Sequence, residues 1–401
     1  MILIMSGAYL SPEFTSLFGQ LPQSFLPVGN RWLFHWHARC FGDLSKSKAL
    51  ALPHDFDILD ADQEELDRLG IDIQRLPDGL SLGAAIVYAI NVLGAVNEPV
   101  RILHGDKLCG RLEDVNLDVV FSGTTSEHCC WTQCNSDDSG TLNLSQALPS
   151  DSMPRQVLCG YFTFSKDGRL TQCLTAAGYD FVTSLNRYAH QHGLSARACP
   201  DWLDFEHVHT HYRSKARLPT ERAFNRLAAT PLWIRKSSVD REKIEADAHW
   251  FELLLRELAI FTSRNVGQEA DPDRGASYGL EFLYLSTLSE LGVLSNLPAY
   301  SWRRIFSCVD ELMSRMSAMP APVSHPRAKS ASYRCKTLTR LADFSLTEGL
   351  DMTLPTRIGD LTLPSLERII ETVCTAVPHA SAADITTRHE GLCYSNILFD
   401  P

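Results

Sequence analysis

The 401-residue sequence has no apolar run approaching the about 20 residues that a membrane-spanning helix needs, so no membrane span is expected. No basic segment precedes its short apolar start, MILIMSGAYL, and no small-residue cleavage pattern follows, which argues against a secretory leader. Its 12 cysteines have no framework-like spacing, so mostly buried, reduced thiols and a cytoplasmic location are expected. There is no internal repeat and no low-complexity tract. Positive charge is also short. The 37 Lys and Arg stand against 48 Asp and Glu, a formal charge of −11. Such an acidic balance excludes broad binding of nucleic acid or anionic membrane, while leaving room for a local basic pocket for a phosphorylated small molecule.

What is present is ordinary for a globular protein, with 44% apolar and 21% charged residues. The length suggests two or three domains, each able to bury a core without disulfide or metal staples. Met1 to Ser6 predicts a buried strand followed by a turn at Gly7, and Ala49 to Leu52 a second strand ending at Pro53. DADQEELDRLG predicts an exposed helix ending at Gly70, and SLGAAIVYAINVLGAV a packed one. PVRILHGD predicts a strand ending at Gly105 and Asp106, with further strands in VNLDVVFSG and VLCGYFTFS. Strands alternating with helices imply an α/β architecture with a mostly parallel sheet. The rhythm changes between about residues 215 and 230, which divides the chain into 1–225 and 226–401. Beyond it, apolar Ile244, Ala248, Phe251, Leu255 and Leu258 form a helical stripe. YGLEFLYLSTLSELGVL and WRRIFSCVDELMSRM read as further helices, PLWIRKSS as a strand and MPAPVSHPRAKSAS as a surface loop.

The order strand, Gly7, loop, LPQSFLPVGNRWL, then DGLSLGAAIVYAIN, HGDKL, CGYFTFS and WLDFEHVHTHY resembles the sugar-nucleotide pyrophosphorylases over roughly the first 225 residues. That resemblance implies a doubly wound GT-A-type fold and transfer of a nucleotidyl group from a nucleoside triphosphate to a sugar or polyol phosphate. Such a reaction needs Mg²⁺ to neutralise charge, and Mg²⁺ favours a few carboxylates with water and phosphate oxygens. Asp106 stands where open α/β sheets place their ligands, at the carboxyl end of a strand. Asp204 matches the family's second metal carboxylate. Gly7 would let the loop approach the nucleotide, and Ser24 lies where a phosphate-binding lysine is expected. For either aspartate alone, a turn or cap is the bland explanation. The chain departs from the family pattern in its loop, Gly7-Ala8-Tyr9-Leu10-Ser11, which lacks the second glycine and the arginine. Gln23 and Ser24 replace the lysine region, and Glu206 replaces a glycine, adding a carboxylate that either repels phosphate or ligates metal.

Residues from about 230 onward resemble the choline-kinase and aminoglycoside-phosphotransferase branch of the kinase-like fold, a helix-rich α+β domain. Lys236 matches the strand lysine that holds nucleotide phosphates, with Glu245 or Glu252 as its implied ion-pair partner. Glu281 to Tyr284 resembles the hinge beside the adenine. HEGLCYSN, from His389 to Asn396, is close to the catalytic loop H-G-D-x-x-x-x-N, with Asn396 as the implied metal ligand. Gly391 stands where the catalytic aspartate belongs, and the later metal-binding aspartate would fall beyond Pro401, so this half is expected to be degenerate or incomplete. The whole ordered pattern also resembles bacterial capsule-biosynthesis proteins that join two such halves, which implies a role in surface-polysaccharide precursors. The rival expectation is a non-catalytic binding or scaffolding protein that kept both folds. The oligomeric state stays open, a homo-oligomer included.

Other signals have bland readings beside sharp ones. His207, His209 and His211 would share a face on an extended strand, as in a metal-dependent hydrolase, or simply flank Asp204. His128, Cys129, Cys130 and Cys134 cluster without a second C-x-x-C pair, which disfavours structural zinc. Lys215, Arg217 and Arg222 read as a solvated face, although a sugar phosphate could use it. Trp202 and Trp233 read as core residues.

Overall fold

The computed structural model describes the chain apart from residues 43–46, 95–96, 113–116, 128, 130, 137–140, 147–153, 219–225, 231, 239–240, 255, 270–275, 320–328, 350, 359–360, 377–391 and 400–401. It falls into two compact units, one of residues 1–254, 262–305 and 392–401 and one of residues 255–261 and 306–391.

The first unit is built on a mixed, mostly parallel sheet. Its elements run β1 (Ile2–Met5), α1 (Pro12–Phe18), α2 (Leu33–Phe41), β2 (Lys48–Pro53), α3 (Asp60–Arg68), β3 (Ile71–Leu76), α4 (Leu82–Val92), β4 (Val100–His104) and β5 (Lys107–Leu108). They continue with β6 (Val119–Thr125), β7 (Thr132–Ser136), β8 (Leu142–Gln146), β9 (Arg155–Phe164), α5 (Asp167–Ala176), α6 (Phe181–His192), β10 (Ser195–Ala198), β11 (Leu203–Asp204) and α7 (Val208–Ala216). The strand order is β10-β6-β9-β4-β1-β2-β3. β1, β2, β3 and β4 are parallel, β10 is parallel to β6, and β9 is antiparallel to both β4 and β6. Strands covered on both faces read as continuous apolar runs, which is why Ile2 to Met5 is wholly buried. α4 starts where the Ser81 side chain accepts a hydrogen bond from the Ala84 amide (3.3 Å), and it turns Ala85, Ile86, Ala89 and Ile90 onto the sheet. α3 buries only Leu66, in keeping with its polar sequence.

The same unit holds a second, antiparallel sheet of β12 (Arg226–Ala229), β13 (Trp233–Ser238), β14 (Asn265–Glu269) and β15 (Ala276–Glu281), ordered β12-β13-β15-β14. α8 (Arg241–Leu253) packs on it through Ile244, Ala248 and Phe251, against Tyr278 and Leu280. The helix expected to run on to Phe261 stops at Leu253, and a separate short helix, α9 (Arg256–Ala259), lies in the other unit. The helix expected from Tyr278 is a strand as far as Glu281, because both its neighbours pair with it. β16 (Ser286–Thr287) and α10 (Leu288–Val293) follow it, and β16 pairs with β19 (Leu398–Phe399).

The second unit contains α9 and residues 306–318 of α11 (Ala299–Ala318), together with α12 (Lys329–Glu348), the hairpin β17 (Pro355–Ile358) and β18 (Leu361–Ser365), and α13 (Leu366–Ala376). The expected loop over 319–332 is helix from Lys329 on, and its earlier part lies outside the described residues. α13 packs against α12 and β18, yet none of its residues is buried. Among the described residues no helix is long and apolar enough to cross a membrane, and the cysteines are free thiols. Five of them are buried, all in the first 200 residues.

Candidate functional site

The chain leaves β1 toward β2 on one side and returns to place β4 on the other, so strand order reverses between β1 and β4. That is the switch point at which open α/β sheets form a crevice beyond their carboxyl ends. Met5 and His104 are cross-strand neighbours at the ends of the two strands, and the turns that follow carry Gly7 and Asp106. The Gly105 amide donates to the Met5 carbonyl (2.7 Å). A Cβ on Gly105 would lie 2.8 Å from that oxygen, so glycine is what lets the turns meet. Ser24 is buried beside them. Its amide donates to Ser6 Oγ (2.8 Å), and its own hydroxyl has no hydrogen-bond partner. Gly7 packs its Cα against the Leu76 side chain.

Asp204 reaches the same crevice by a different route. β5 and β11 form a short antiparallel ladder in which Asp204 stands opposite Lys107, and the Phe205 amide donates to the Asp106 carbonyl (2.9 Å). α7 folds back over this ladder, where the Ser214 hydroxyl donates to the Asp204 carbonyl (2.7 Å) and accepts from its amide (3.1 Å).

The centre of the site is a residue that sequence reasoning passed over. The Lys107 ammonium donates to Asp204 Oδ1, to Glu206 Oε2 (2.8 Å) and to Asp106 Oδ2 (3.4 Å). Asp106, Lys107 and Asp204 are each at least 95% buried, whereas Glu206 is half-exposed. The Lys107 stem passes Gly160, which takes φ +79° at the register shift between β6 and β9; a Cβ there would lie 2.7 Å from Lys107 Cγ. His37, on α2, holds the Lys107 carbonyl through Nε2 (3.1 Å). The only prior signal for Lys107 was a cation next to Asp106 in an otherwise apolar stretch.

Burial raises the pKa of Asp106 and of Asp204 above the ordinary carboxylate range, and the Lys107 charge pulls against it without winning. Burial also works against the Lys107 ammonium, but the carboxylates of Asp106, Asp204 and Glu206 outweigh it and hold the charge more firmly than in water. Burial pushes Glu206 up, but the charge and hydrogen bond of Lys107, with His207 and His104, outweigh it and hold Glu206 below its usual value. His104 is pushed down to about 4, by burial and then by Lys107, and His37 to about 3 by burial. Both are therefore neutral rings.

The three alternating histidines do not share a face. α7 begins at Val208, and His211 is wholly buried among Phe14, Phe18, Phe205 and Tyr212. Neither of its ring nitrogens has a hydrogen-bond partner, and burial drives its pKa far down. Lys215 faces inward to Glu290 on α10, which is 2% exposed, rather than forming a solvated cluster with Arg217. Arg222, His128 and Cys130 lie outside the described residues. Trp202 is half-buried with its ring over Gly123, and Trp233 half-buried under Arg235.

In the second sheet, Lys236 on β13 bonds Asp247 Oδ2 (2.6 Å) and the Tyr278 hydroxyl (3.4 Å). Burial opposes its charge, but the bond to Asp247 prevails and raises its pKa. The implied partners are engaged elsewhere: Glu245 bonds Arg241 (2.7 Å), and Glu252 bonds His249 (3.4 Å). The reason is helical phase. Buried Ile244 and Ala248, with partly buried Phe251, form the inward stripe of α8, Asp247 lies on one flank of it, and Glu245 and Glu252 lie on the other. Glu281 ends β15 opposite Trp233, with its amide bonded to the Arg264 carbonyl (2.8 Å). Asn396 is exposed in a single helical turn, Tyr394–Asn396. His389 lies outside the described residues.

No protein-family model matches this chain, and no curated protein does. Solved structures similar to it include a UDP-glucose pyrophosphorylase complexed with UDP-glucose, at 12% identity over 55% of this chain and 98% of that one, with a TM-score of 0.41. A nucleoside-diphosphate-sugar pyrophosphorylase from Vibrio cholerae RC9 is 13% identical over 54% and 99%, also at 0.41. An inositol-1-phosphate CTP transferase from T. maritima is 10% identical over 51% and 88%, at 0.39. At such identities and scores the likeness assigns neither family nor activity.

Proposed function

We propose that the first unit binds a nucleoside triphosphate in the crevice beyond β1 and β4 and transfers its nucleotidyl group to a sugar or polyol phosphate. The observation that carries this reading is the convergence of Asp106 and Asp204 on one buried cation at the topological switch point. An oxygen of the acceptor phosphate bonds to the α-phosphorus as the bond from that phosphorus to the bridging oxygen breaks, and pyrophosphate leaves with the electron pair. The acceptor is already an anion, so the site needs no general base. It needs positive charge and alignment.

The residues present fit Mg²⁺. Asp204 Oδ2 is buried without a hydrogen-bond partner, and three carboxylates face a single ammonium. Asp106 and Asp204 would hold the ion, which supplies charge neutralisation on the phosphates. Without nucleotide, the Lys107 ammonium balances the carboxylates. When phosphate enters, that ammonium turns to its oxygens and supplies the charge missing from the loop Gly7–Ser11 and from Ser24. The Ser24 hydroxyl, unpartnered at the turn, is a donor for the same phosphates. Surface-polysaccharide precursors, as in the capsule proteins that the sequence resembles, are the products this reading favours.

The second sheet, with its Lys236–Asp247 pair, is proposed as a nucleotide-phosphate site whose kinase activity is lost; Glu281 and Asn396 are its further implied contacts by sequence, and Gly391, in the aspartate's place by sequence, lies outside the described residues. One observation favours a non-catalytic binding role for the whole chain instead: Lys107 already stands between the two aspartates. Pyrophosphate release from each nucleoside triphosphate with sugar 1-phosphates separates the readings. The transferase reading expects release with one nucleotide, abolished by Asp204→Asn; no release with any nucleotide leaves the binding role.

A further inference from the structure

We propose that Glu127, Cys129 and His209 form a zinc site with an open fourth position, fastening the segment after β6 to the first turn of α7. Cys129 Sγ lies 3.4 Å from His209 Nε2, which lies 3.3 Å from Glu127 Oε2, and the three donor atoms all fall within 4.8 Å of one another. Tetrahedral zinc, with bonds of about 2.3 Å to sulfur and about 2.0–2.2 Å to nitrogen and oxygen, sets its donors about 3.4–3.6 Å apart. The two spacings at His209, 3.4 and 3.3 Å, match those edges, and the third, within 4.8 Å, closes with a small movement of Glu127 toward Cys129. A thiolate, an imidazole and a carboxylate suit zinc far better than magnesium, and three protein ligands leave room for a water.

The surrounding groups hold the donors in place. Arg213, one turn further along α7, donates to Glu127 Oε1 (2.8 Å), which leaves Oε2 turned toward His209. Arg155 donates to the Glu127 carbonyl (2.7 Å) and to the Cys129 carbonyl (3.4 Å), fixing the backbone of both ligands. The His207 ring stacks on His209, with centroids 5.8 Å apart and planes 7° from parallel. Such outer contacts orient metal ligands and tune their affinity. Binding releases the Cys129 thiol proton, and the thiolate and carboxylate then balance the ion's two charges. Because His209 lies three residues beyond Glu206 and five beyond Asp204 in sequence, the ion would steady the chain that carries the carboxylate cluster. The site stands independently of the nucleotide reading.

The test is titration of the full, chelator-treated chain with Co²⁺ and then Zn²⁺. The expected result is one equivalent of Co²⁺ with tetrahedral absorption and a sulfur-to-cobalt charge-transfer band, displaced by Zn²⁺. Cys129→Ser should abolish the band. His209→Gln and Glu127→Gln should each weaken binding at least tenfold, and Cys308→Ser, at an exposed cysteine elsewhere, should change nothing. A wild-type chain without the tetrahedral spectrum would show that the contacts are hydrogen bonds alone. A full equivalent retained in Cys129→Ser would equally overturn the proposal.

Discussion

Lys107 and Asp204 form a buried ion pair across the β5–β11 ladder although 97 residues separate them. Asp106 and Glu206 bond the same ammonium, so one buried cation gathers three carboxylates at the crevice. Lys107→Met leaves buried carboxylates without their cation and is expected to destabilise the unit by about 3–5 kcal/mol in urea denaturation at pH 7. The loss should shrink on acidification, since Asp106 and Asp204, with pKa values already raised by burial, take up protons readily.

Asp106→Asn should separate stability from function. A carboxyl whose folded pKa is raised stabilises the fold at pH below its unfolded value, and that contribution is lost as pH rises through the folded value. At pH 7 the raised pKa of Asp106 is therefore a cost, and the asparagine variant should be as stable as wild type or more so by urea midpoint, while losing Mg²⁺-dependent nucleotide binding.

Gly160→Ala tests how the Lys107 stem is accommodated. The φ of +79° and the 2.7 Å approach to Lys107 Cγ both oppose a side chain. A loss of about 1–3 kcal/mol is expected, together with weaker nucleotide binding. Gly168→Ala, where nothing lies within 4 Å, serves as the control.

His211→Phe should stabilise the unit by about 1–2 kcal/mol at pH 7, because it removes two unpaired nitrogens from an aromatic cage. The variant should also flatten the acid limb. A histidine whose folded pKa lies below its unfolded 6.5 takes up a proton on unfolding, so its contribution is lost as pH falls from 6.5. Removing one such group should lower the slope of stability against pH below 6.5 by about 1.4 kcal/mol per unit.

The elements that frame the crevice were legible because strands covered on both faces write themselves as apolar runs, unbroken in Ile2–Met5 and interrupted only by Arg101 before the closing His104 in Val100–His104. The turn residues Gly7 and Asp106 were legible from their place after those runs. Lys107 was not, because nothing local tells whether a lysine beside an aspartate turns inward; its direction is set by pairing with β11 and by the gap at Gly160. Asp247 was missed for a related reason: the spacing of Glu245 and Glu252 marks one helix flank, and only the packed sheet shows which flank Lys236 meets. The stretch from Tyr278, a strand to Glu281, reads as helix in the sequence because a short apolar run suits either period.

The measurement closest to the central claim is calorimetric binding of CTP, UTP, GTP, dTTP and ATP, each with Mg²⁺, to wild type, Asp106→Asn and Lys236→Met. The account predicts tight binding of one nucleotide that Asp106→Asn weakens at least tenfold and Lys236→Met leaves unchanged, with any separate binding lost in Lys236→Met belonging to the second sheet. If no nucleotide binds in a way that depends on Asp106, the account is contradicted.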